Sequence, residues 1–540
     1  MATKLIQIKS EPGIKRDGTR LEGTGYTDGQ WVRWQRGLPR KIGGYRSINK
    51  YLQGLVRELN AYTQDSLTYV HAGSSGLVER FYIDTTNNTS VIVDRTPAGL
   101  TVDDDNMWQF DVATLLSGGI PSPLLIAQVA PNLACLCNST GGELYYGDLF
   151  ATTPLLPLTL PTGGSATGGI VSVQPYTFFY GDNGYIAFSV AGDPTNFVGA
   201  GSGSVNAASQ KVVRGYAVRG GAGNSPSALF WTADALIRAT FVGGAEVFQF
   251  DTISAQTSIL GANTVIEYDG VFYWCGVDRF LMFNGVVREV PNLFNLNFFF
   301  DNLNYACRQK VFVVKVPKYG EIWWCFPKGS STEPDHAVIY NVREGAWYDT
   351  ALPNGGRSAA QFPTVFRRPL MTGSVPSITA TSYRITEAED ARITEEGNLR
   401  VTEDSNVSRY KLWVHEIGMD EVDGQTVQPI QSYFETGDIA LPLLDGTNRS
   451  LQVLMVEPDF VETGDMTLQI QGNANARADT VSGDAVTFAD TASTATEQVL
   501  YFKTQRRQLR FRFESNVVGG DYQMGHVLAH VQPGDGTTLG

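Results

Sequence analysis

The chain has 540 residues, of which 42% are hydrophobic, 11% aromatic and 18% charged, and it contains 57 glycines and 24 prolines. This composition favours a turn-rich β protein with a large core over a helical or disordered chain. The net charge of −14 argues against a sequence-independent nucleic-acid binder, because such a protein needs a basic surface.

Residues 1–50 are predicted to form a basic N-terminal arm and entry strands. Residues 1–57 carry 12 basic and 4 acidic side chains, a net charge of +8 that leaves −22 for the remainder. Trp31, Trp34 and Tyr45 are expected to anchor this segment on the body. Its basic edge, a candidate partner interface, consists of Arg33, Arg36, Arg40 and Lys41. Such asymmetry is typical of an interaction arm and equally of a solvated strand.

Neither a signal peptide nor a membrane span is predicted. Residues 1–15 lack an uninterrupted apolar core, and the charge-free runs 112–142 and 149–181 are broken by proline and glycine. The five cysteines are odd in number and scattered, which predicts reduced thiols in a protein assembled in a cytoplasm.

Residues 51–375 are predicted to be the body of a β-propeller. Short apolar runs recur there, and one group places four strands within about forty residues, the size of a propeller blade. Its strands are Val311–Val316, Glu321–Phe326, His336–Asn341 and Ala346–Asp349. Summing such groups predicts five or six blades of antiparallel sheet.

The clearest stretch of this body runs from Ala228 to Asn292 and contains seven apolar runs with no helical period. Asp269-Gly270 and Asn284-Gly285 separate adjacent runs as two-residue hairpin turns, which need a positive φ. The stretch therefore predicts a continuous antiparallel meander.

Residues 376–408 contain a short repeat with a period of eight, in which Arg-Ile-Thr-Glu or Arg-Val-Thr-Glu begins at Arg384, Arg392 and Arg400. A three-stranded meander is the simplest fold for it, with stacked Arg and Glu side chains across strands. It is interpreted either as a charged unit that contacts a partner or lines a channel, or as a spacer.

Residues 409–540 are predicted to be a C-terminal β-sandwich. Its strands are expected at Ile430–Phe434, Leu451–Val456, Met466–Gln471, Val499–Phe502 and Leu509–Phe513. Arg506 and Arg507 belong to the densest late basic cluster, which is a solvated strand face or a contact for an acidic partner.

The sequence shows no catalytic or metal-binding pattern. There is no Gly-x-Ser-x-Gly elbow, no phosphate-binding loop and no His-Glu-x-x-His. His526 and His530 lack nearby residues at ligand spacing and are expected to be ordinary histidines. A carboxylate pair of the glycosidase kind stays open, because its members meet only in space. We therefore predict no enzyme, no cofactor and no metal.

Several motifs distributed over most of the chain look like those of the tail nozzle, or tail tubular, proteins of short-tailed (podovirus-type) bacteriophages. Near the N-terminus these are Asp28–Trp34 and Gly37–Tyr45. In the body they are Gly192–Phe197, Phe230–Thr232, Gly261, Tyr273–Gly276, Asp278–Phe280, Asn284-Gly285, Tyr340-Asn341 and Gly345–Trp347. Near the C-terminus they are Glu435–Asp438 and Glu457–Phe460. None of these motifs is catalytic.

The resemblance implies a structural virion protein of the tail, assembled in the host bacterial cytoplasm. It implies a homohexameric ring below the head-to-tail connector, with an adaptor protein above and a tail fibre or tailspike at the side. Duplex DNA would pass through the lumen without sequence-specific binding, and the basic arm is expected to dock on the adaptor. The alternative is a phage β-propeller that binds or cleaves glycans, since the fold supports both roles and nine Trp and 23 Tyr offer stacking surfaces. A cellular scaffold protein is a third possibility.

Overall fold

The structure is a computed structural model, and the statements below concern the residues that it describes. These are residues 3–8, 10–19, 25–48, 50–64, 67–74, 77–83, 92–100, 107–117, 119–130, 142–218, 225–244, 246–375, 409–440, 449–475, 477–488 and 499–534. The Arg-Ile-Thr-Glu repeat at residues 376–408 lies outside them.

The chain opens with five short strands that connect distant parts of the molecule. They are β1 (Lys4–Ile8), β2 (Tyr26–Gln30), β3 (Val32–Gln35), β4 (Leu38–Lys41) and β5 (Tyr45–Ser47). Four of them, β1, β2, β4 and β5, pair with strands that begin after residue 408. Trp31, Trp34 and Tyr45 are buried, as expected for anchors of this segment.

Six four-stranded antiparallel sheets follow, each with its strands side by side in sequence order. The first three contain β6 (Glu58–Gln64), β7 (Leu67–Ser74), β8 (Leu77–Ile83) and β9 (Val93–Asp94); β10 (Met107–Ser117), β11 (Ile120–Ala130), β12 (Glu143–Asp148) and β13 (Leu156–Pro157); and β14 (Gly169–Val173), β15 (Tyr176–Tyr180), β16 (Tyr185–Phe188) and β17 (Gly203–Asn206).

The next three sheets hold the strands that the sequence predicted most clearly. They contain β18 (Val212–Ala217), β19 (Ser227–Thr232), β20 (Leu236–Phe241) and β21 (Phe248–Ser254); β22 (Val265–Tyr268), β23 (Val271–Cys275), β24 (Phe280–Phe283) and β25 (Val287–Glu289); and β26 (Phe312–Val316), β27 (Glu321–Phe326), β28 (His336–Asn341) and β29 (Ala346–Ala351). The seven predicted strands between Ala228 and Asn292 are β19 to β25. At the hairpin between β22 and β23, Asp269 has φ 49° and Gly270 φ 81°, the positive values that the turn prediction requires.

Among the described residues, helical structure is confined to short connections. One α-helix, α1 (Leu296–Asn302), joins the fifth and sixth sheets, and 3₁₀ turns occupy Asp182–Gly184, Ala262–Thr264, Tyr305–Lys310 and Pro353–Gly355. Within the described ranges no helix has the length and apolar character needed to cross a membrane.

The seventh sheet of the series is assembled from three separate parts of the chain. It begins with β30 (Ala359–Gln361), β31 (Leu370–Val375) and β32 (Arg409–His415), and β5 from the N-terminal segment is its fourth strand. The hairpin of β33 (Asp420–Asp423) and β34 (Thr426–Pro429) extends its outer edge, with β33 parallel to β5.

The first strands of these seven sheets form a closed ring. In the order β6, β10, β14, β18, β22, β26 and β30, each contacts the next sheet, and β30 contacts β6 again. Between β18 and β22 the Tyr216 hydroxyl donates a hydrogen bond of 2.8 Å to the Val265 carbonyl. The protein is therefore an all-β protein with a β-propeller of seven blades. The prediction of five or six blades was too low, because the fourth strand of the seventh blade comes from residues 45–47.

The remaining strands form three further sheets, called here the terminal sheets. Their new strands are β35 (Ser432–Thr436), β36 (Leu451–Glu457), β37 (Phe460–Thr463), β38 (Met466–Asn473), β39 (Val481–Phe488), β40 (Leu500–Arg506), β41 (Gln508–Ser515), β42 (Asp521–Met524) and β43 (Val527–Pro533). The strand orders are β1-β43-β36-β40, β2-β35-β41-β38-β39 and β3-β4-β42-β37. N-terminal strands thus occupy positions in all three.

One hydrophobic core joins the terminal sheets to the propeller. It contains Val453 and Phe513 from the terminal sheets together with Trp323 and Tyr348 of blade 6 and Trp413 of blade 7. The packing of these sheets as a β-sandwich stays a prediction.

Candidate functional site: the propeller channel and the basic side chains

The space at the centre of the propeller is a half-open cavity of about 480 Å³ with a wall of mixed polar and apolar atoms, called here the channel. All seven blades contribute to its wall through their first strands. The first strands pack apolar side chains against the neighbouring blades on both faces, as Ile170 and Val171 of β14 do, and carry isolated polar residues between them. The channel therefore brings together side chains that are far apart in the sequence.

Two carboxylates and one guanidinium lie on one arc of the wall. Glu58 is on β6, Asp111 is on β10 and Arg214 is on β18. Asp111 accepts hydrogen bonds from the backbone N–H groups of Ser172, at 2.6 Å, and Val112, at 2.8 Å. Burial raises the pKa of Asp111, and these two hydrogen bonds and Arg214 oppose the rise.

Glu58 differs from the other charged groups of the channel. Its carboxylate makes no hydrogen bond or ion pair within the described part of the chain. Burial raises its pKa to about 7; the charge of Arg214 lowers it and the charge of Asp111 adds to the rise. Glu58 therefore titrates near neutral pH.

The guanidinium of Arg214 is held at the wall by its neighbours. Its Nη1 donates to the Asn263 side-chain oxygen at 3.1 Å, and its carbon lies 5.1 Å from the centre of the Tyr216 ring. Its Nε is buried without a hydrogen-bond partner among the described residues. Arg214 is thus fixed in position with a spare donor.

The opposite arc carries charges that are already paired. Lys315 Nζ donates to Glu267 at 2.7 Å from the backbone oxygen and 3.1 Å from the carboxylate. Arg57 makes two hydrogen bonds to the Glu333 carboxylate, at 2.6 Å and 3.0 Å, and Lys310 reaches the same carboxylate at 2.8 Å. Lys315 and Glu267 balance, whereas Arg57 and Lys310 share one carboxylate, so these groups together carry one positive charge.

The channel has the chemistry of a binding site for a small polar ligand. Neither a nucleophile with an adjacent base nor, among the residues that the structure describes, a group of three His, Cys, Asp or Glu side chains suited to a metal is present. This site was not predicted from the sequence. Its signal is a charged residue within a predominantly apolar strand, such as Asp111 beside Phe110 and Val112.

Two residues of the predicted basic edge are buried, which corrects their assignment as partner contacts. Arg33 is 0% exposed and Lys41 is 1% exposed. Burial lowers the pKa of Lys41 to about 8, although the nearby carboxylates of Asp420 and Asp521 oppose this. The positions of basic residues in the sequence do not show that other sheets cover β3 and β4.

Arg33 connects the third terminal sheet with two propeller blades. Its Nη1 donates to Glu416 at 3.0 Å, and its Nε lies 3.0 Å from Glu321 Oε1. The guanidinium also stacks on the Tyr319 ring at 3.7 Å. Glu321 in turn accepts hydrogen bonds from the Tyr348 hydroxyl at 2.6 Å and the Trp323 indole at 2.9 Å. Arg33 is therefore the centre of a buried ion-pair network.

Arg36 and Arg40 lie at the surface of the β3–β4 hairpin. Arg36 is exposed at the turn with φ 56°, and its backbone N–H donates to Glu344 at 2.7 Å. Arg40 is half-buried, 3.6 Å from Asp521, and donates to the Gln35 side chain at 3.0 Å. Only this part of the predicted basic edge is accessible.

Arg506 and Arg507 lie at the turn between β40 and β41, on different sheets from the β3–β4 hairpin. Arg506 is exposed and Arg507 is half-buried. The neighbouring Arg510 and Arg512 do not add a free basic face, because Glu435, Asp438 and Glu514 pair with them. Arg384, Arg392 and Arg400 lie outside the described residues.

No protein-family model and no curated protein matches the sequence. Similar solved structures include those titled "Structure of U3-55K" and "Crystal structure of RRP9 WD40 repeats". Each has 8% sequence identity and a TM-score of 0.35, and the alignments cover 69% of this chain and 98% and 99% of those chains. A TM-score this low carries no argument about function.

Proposed function

We propose that this protein is a structural subunit of the tail nozzle of a short-tailed bacteriophage. In this role six copies form a ring below the head-to-tail connector, and the lumen of the ring retains the genomic DNA and then lets it pass. The ring contacts an adaptor protein above and a tail fibre or tailspike at the side. It is located in the virion tail after assembly in the host bacterial cytoplasm, and its role is mechanical, not enzymatic.

The observation that carries this proposal is that separate phage-like motifs meet in space. Asp28 on β2 lies opposite Glu435 on β35. The side-chain amide of Asn341 on β28 donates a hydrogen bond of 3.2 Å to the Trp34 carbonyl on β3. Motifs that lie hundreds of residues apart in the sequence thus form one junction. This convergence supports the view that the protein shares the architecture of the tail nozzle proteins, because motifs that matched by chance would have no reason to lie together.

The channel of a single subunit is not the path of the DNA in this proposal. A cavity of about 480 Å³ is too small to enclose a DNA duplex. The DNA path would therefore run between subunits, and a head-to-tail contact that closes on itself produces such a lumen. The net charge of −22 after residue 57 leads us to propose an acidic lumen wall, which repels phosphate and lets DNA slide.

The direct test is electron cryo-microscopy of the purified full-length protein, with its mass measured in solution. We expect a six-fold ring with a central hole wide enough for duplex DNA, formed alone or on a purified connector ring. A protein that remains monomeric in the presence of a connector would overturn the proposal. A ring whose lumen wall is basic would overturn the acidic-lumen part alone.

A second test concerns docking of the N-terminal segment on the adaptor. Deleting residues 2–40 would remove strands from all three terminal sheets, so its effect would not distinguish docking from misfolding. The sharper variant is Arg36→Glu, because this side chain is exposed. We expect weaker binding to the adaptor ring in a sedimentation assay, while Arg288→Glu, an equal charge change on the outer strand β25, binds normally. Equal binding by both variants would exclude docking through Arg36.

The glycan-binding alternative loses the tryptophan part of the aromatic support that the sequence offered. All nine tryptophans of the chain are less than 2% exposed and form cores between sheets. No tryptophan is therefore available to stack on a sugar. Exposed tyrosines such as Tyr305 and Tyr501 remain, so glycan binding stays the second candidate, to be tested by titrating the isolated protein with host polysaccharide.

A further inference from the structure

The sequence contains three Asn-Gly pairs, and the structure places them in three different environments. They are Asn183-Gly184, Asn284-Gly285 and Asn354-Gly355. An asparagine side chain is most open to attack by the next backbone nitrogen when glycine follows, because glycine has no side chain to shield that nitrogen and restricts the backbone least. In a folded protein, hydrogen bonds and burial decide which of these pairs can react.

The pair Asn284-Gly285 lies in the turn that connects β24 to β25. Both residues are exposed, and so is Val286, the third residue of this turn. Gly285 has φ 109°, and apart from its chain neighbours no atom of the described residues lies within 4 Å of the position where a side chain would begin. Neither the Asn284 side chain nor the Gly285 nitrogen makes a hydrogen bond in the described part of the chain. The two groups that would react are therefore held only by the turn itself.

The pair Asn354-Gly355 has the same sequence but a fixed side chain. Asn354 is half-buried, and its side-chain nitrogen donates a hydrogen bond of 2.7 Å to the Glu421 carboxylate. The other oxygen of this carboxylate accepts a hydrogen bond of 2.9 Å from the Tyr45 hydroxyl, which holds the acceptor in place. Asn354 must give up its bond to Glu421 before its side chain can turn towards the Gly355 nitrogen. This requirement opposes the reaction.

The pair Asn183-Gly184 is restricted by the backbone around it. Asn183 is exposed, but Gly184 is buried, and a side-chain carbon at Gly184 would overlap the Ala208 carbonyl oxygen. The Ala207 N–H also donates a hydrogen bond of 2.9 Å to the Gly184 carbonyl. The backbone here has little room for the rearrangement that the attack requires. Of the three pairs, only Asn284-Gly285 is both exposed and without hydrogen bonds among the described residues.

From these observations we propose that Asn284 is a site of spontaneous deamidation in the folded protein. The Gly285 nitrogen attacks the side-chain carbonyl carbon of Asn284, and a new C–N bond closes a five-membered ring. The bond from that carbon to the amide nitrogen breaks, and ammonia leaves with the proton of the Gly285 N–H. Water then adds to one of the two ring carbonyl carbons and breaks its bond to the Gly285 nitrogen, which produces aspartate or isoaspartate. Water is the only co-reactant, and this inference does not depend on the nozzle proposal.

The product carries a new negative charge at the surface of blade 5. Because Phe272 pairs with Phe283, residue 284 leaves the sheet at the same end as the Asp269-Gly270 turn, where Asp269 is exposed. Deamidation therefore makes this end of the blade more acidic. No hydrogen bond among the described residues has to break, so we expect the modified protein to stay folded and the modified fraction to increase with the age of the protein.

Incubation of the full-length protein at pH 8, in water labelled with a heavy oxygen isotope, tests this site. After transfer to ordinary water, trypsin releases the peptides Phe280–Arg288 and Glu344–Arg357, each of which contains one asparagine and no glutamine. Mass spectrometry then measures the heavy oxygen that entered during incubation. We expect uptake in Phe280–Arg288 to be at least about tenfold faster, because Asn354 must first lose a hydrogen bond to a charged group.

Two controls separate conformation from sequence. In urea that unfolds the protein, both peptides should take up heavy oxygen at similar rates, because both asparagines precede glycine. Glu421→Ala removes the acceptor of the Asn354 amide, and we expect it to accelerate uptake at Asn354 about tenfold and to leave Asn284 unchanged. Circular dichroism establishes that this variant is folded.

The stability of the product gives an independent result. Anion-exchange chromatography separates the modified from the unmodified protein by the added charge, and we expect both fractions to melt at the same temperature. The proposal is overturned if Phe280–Arg288 takes up no heavy oxygen in the folded protein, or if its uptake is no faster than that of Glu344–Arg357. A lower melting temperature of the modified fraction would overturn the expectation that the folded protein tolerates the change.

Discussion

At the scale of single residues, buried charge is the main feature that the sequence could not assign. Arg33 and Arg36 are three positions apart and both resemble surface arginines in the sequence, yet Arg33 is 0% exposed and Arg36 is exposed. The difference arises because Glu321 and Glu416, which pair with Arg33, come from other sheets. A single sequence shows charge but does not show which distant carboxylate meets it.

Glu79 on β8 provides a test of the cost of such burial. It is 1% exposed, its Oε1 lacks a partner among the described residues, and its Oε2 accepts only a 3.2 Å hydrogen bond from the Gln53 backbone. Burial raises the pKa of Glu79 to about 7, which the Gln53 hydrogen bond opposes and Asp94 reinforces. The folded protein therefore binds a proton on the Glu79 carboxylate more tightly than the unfolded chain does.

We expect Glu79→Gln to raise the free energy of unfolding at pH 8 by roughly 2–3 kcal/mol. A raised carboxyl pKa stabilises the folded state below the unfolded value of about 4.5, and this contribution is lost as the pH rises towards 7. The gap between variant and original should therefore shrink as the pH falls to 4.5. Urea denaturation of both proteins between pH 4.5 and 8 measures this difference in the free energy of unfolding. A difference that does not depend on pH would contradict the raised pKa of Glu79.

At the scale of the elements, the sequence predicts blades whose strands follow one another in the chain and misses the blade whose strands come from distant segments. Strands β26 to β29 were predicted as one blade, and the structure confirms it, because four apolar runs and their turns follow without interruption. The seventh blade was missed because β5, at Tyr45–Ser47, completes a sheet whose other inner strands begin at Ala359. Strand pairing over such a separation leaves no local pattern.

The channel site was missed for the same reason. Glu58, Asp111 and Arg214 are each the charged member of a different first strand, and only the closure of the ring brings them to one wall. No strand was predicted at β6. Polar and apolar residues alternate along Glu58–Ala61, but such a pattern does not distinguish a face that borders a channel from one that borders solvent.

The hairpin between β22 and β23 tests how far turn chemistry determines an element. We expect Gly270→Ala to lower the free energy of unfolding by about 1–2 kcal/mol, because Gly270 has φ 81° although no atom lies within 4 Å of an added methyl group. Gly261→Ala is the control, since Gly261 is extended at φ −170° and its added methyl makes only ordinary contacts. Thermal denaturation of both variants is the measurement, and an equal loss in both would show that backbone conformation is not the cause.

At the scale of the whole molecule, the chain termini join the propeller to the terminal sheets. The N-terminal strands β1 to β4 lie in the terminal sheets, while β5, a few residues later, closes the propeller. The core that includes Trp323, Trp413 and Phe513 spans both regions. This continuity indicates that the two regions unfold together.

The Arg33 network is the point where this coupling can be tested. Arg33→Met removes the charge that pairs with the buried carboxylate of Glu321, in blade 6, and with the half-buried carboxylate of Glu416, in the loop after β32. Removing one partner of a buried ion pair costs about 3–5 kcal/mol, because the remaining charge is left without compensation. We expect a loss of this size in urea denaturation.

Arg36→Met, in the same hairpin but exposed, is the matched control and should change the free energy of unfolding by less than about 0.5 kcal/mol.

Because Arg33 links the third terminal sheet to two blades, the destabilised Arg33→Met variant should also show whether the propeller and the terminal sheets unfold cooperatively. Tryptophan fluorescence reports on all nine buried indoles, and far-ultraviolet circular dichroism reports on every sheet. Coincident transitions by both probes would mean that propeller and terminal sheets form one folding unit. Separate transitions would mean that the propeller closes without the terminal sheets, and that Arg33 aligns two independently stable bodies.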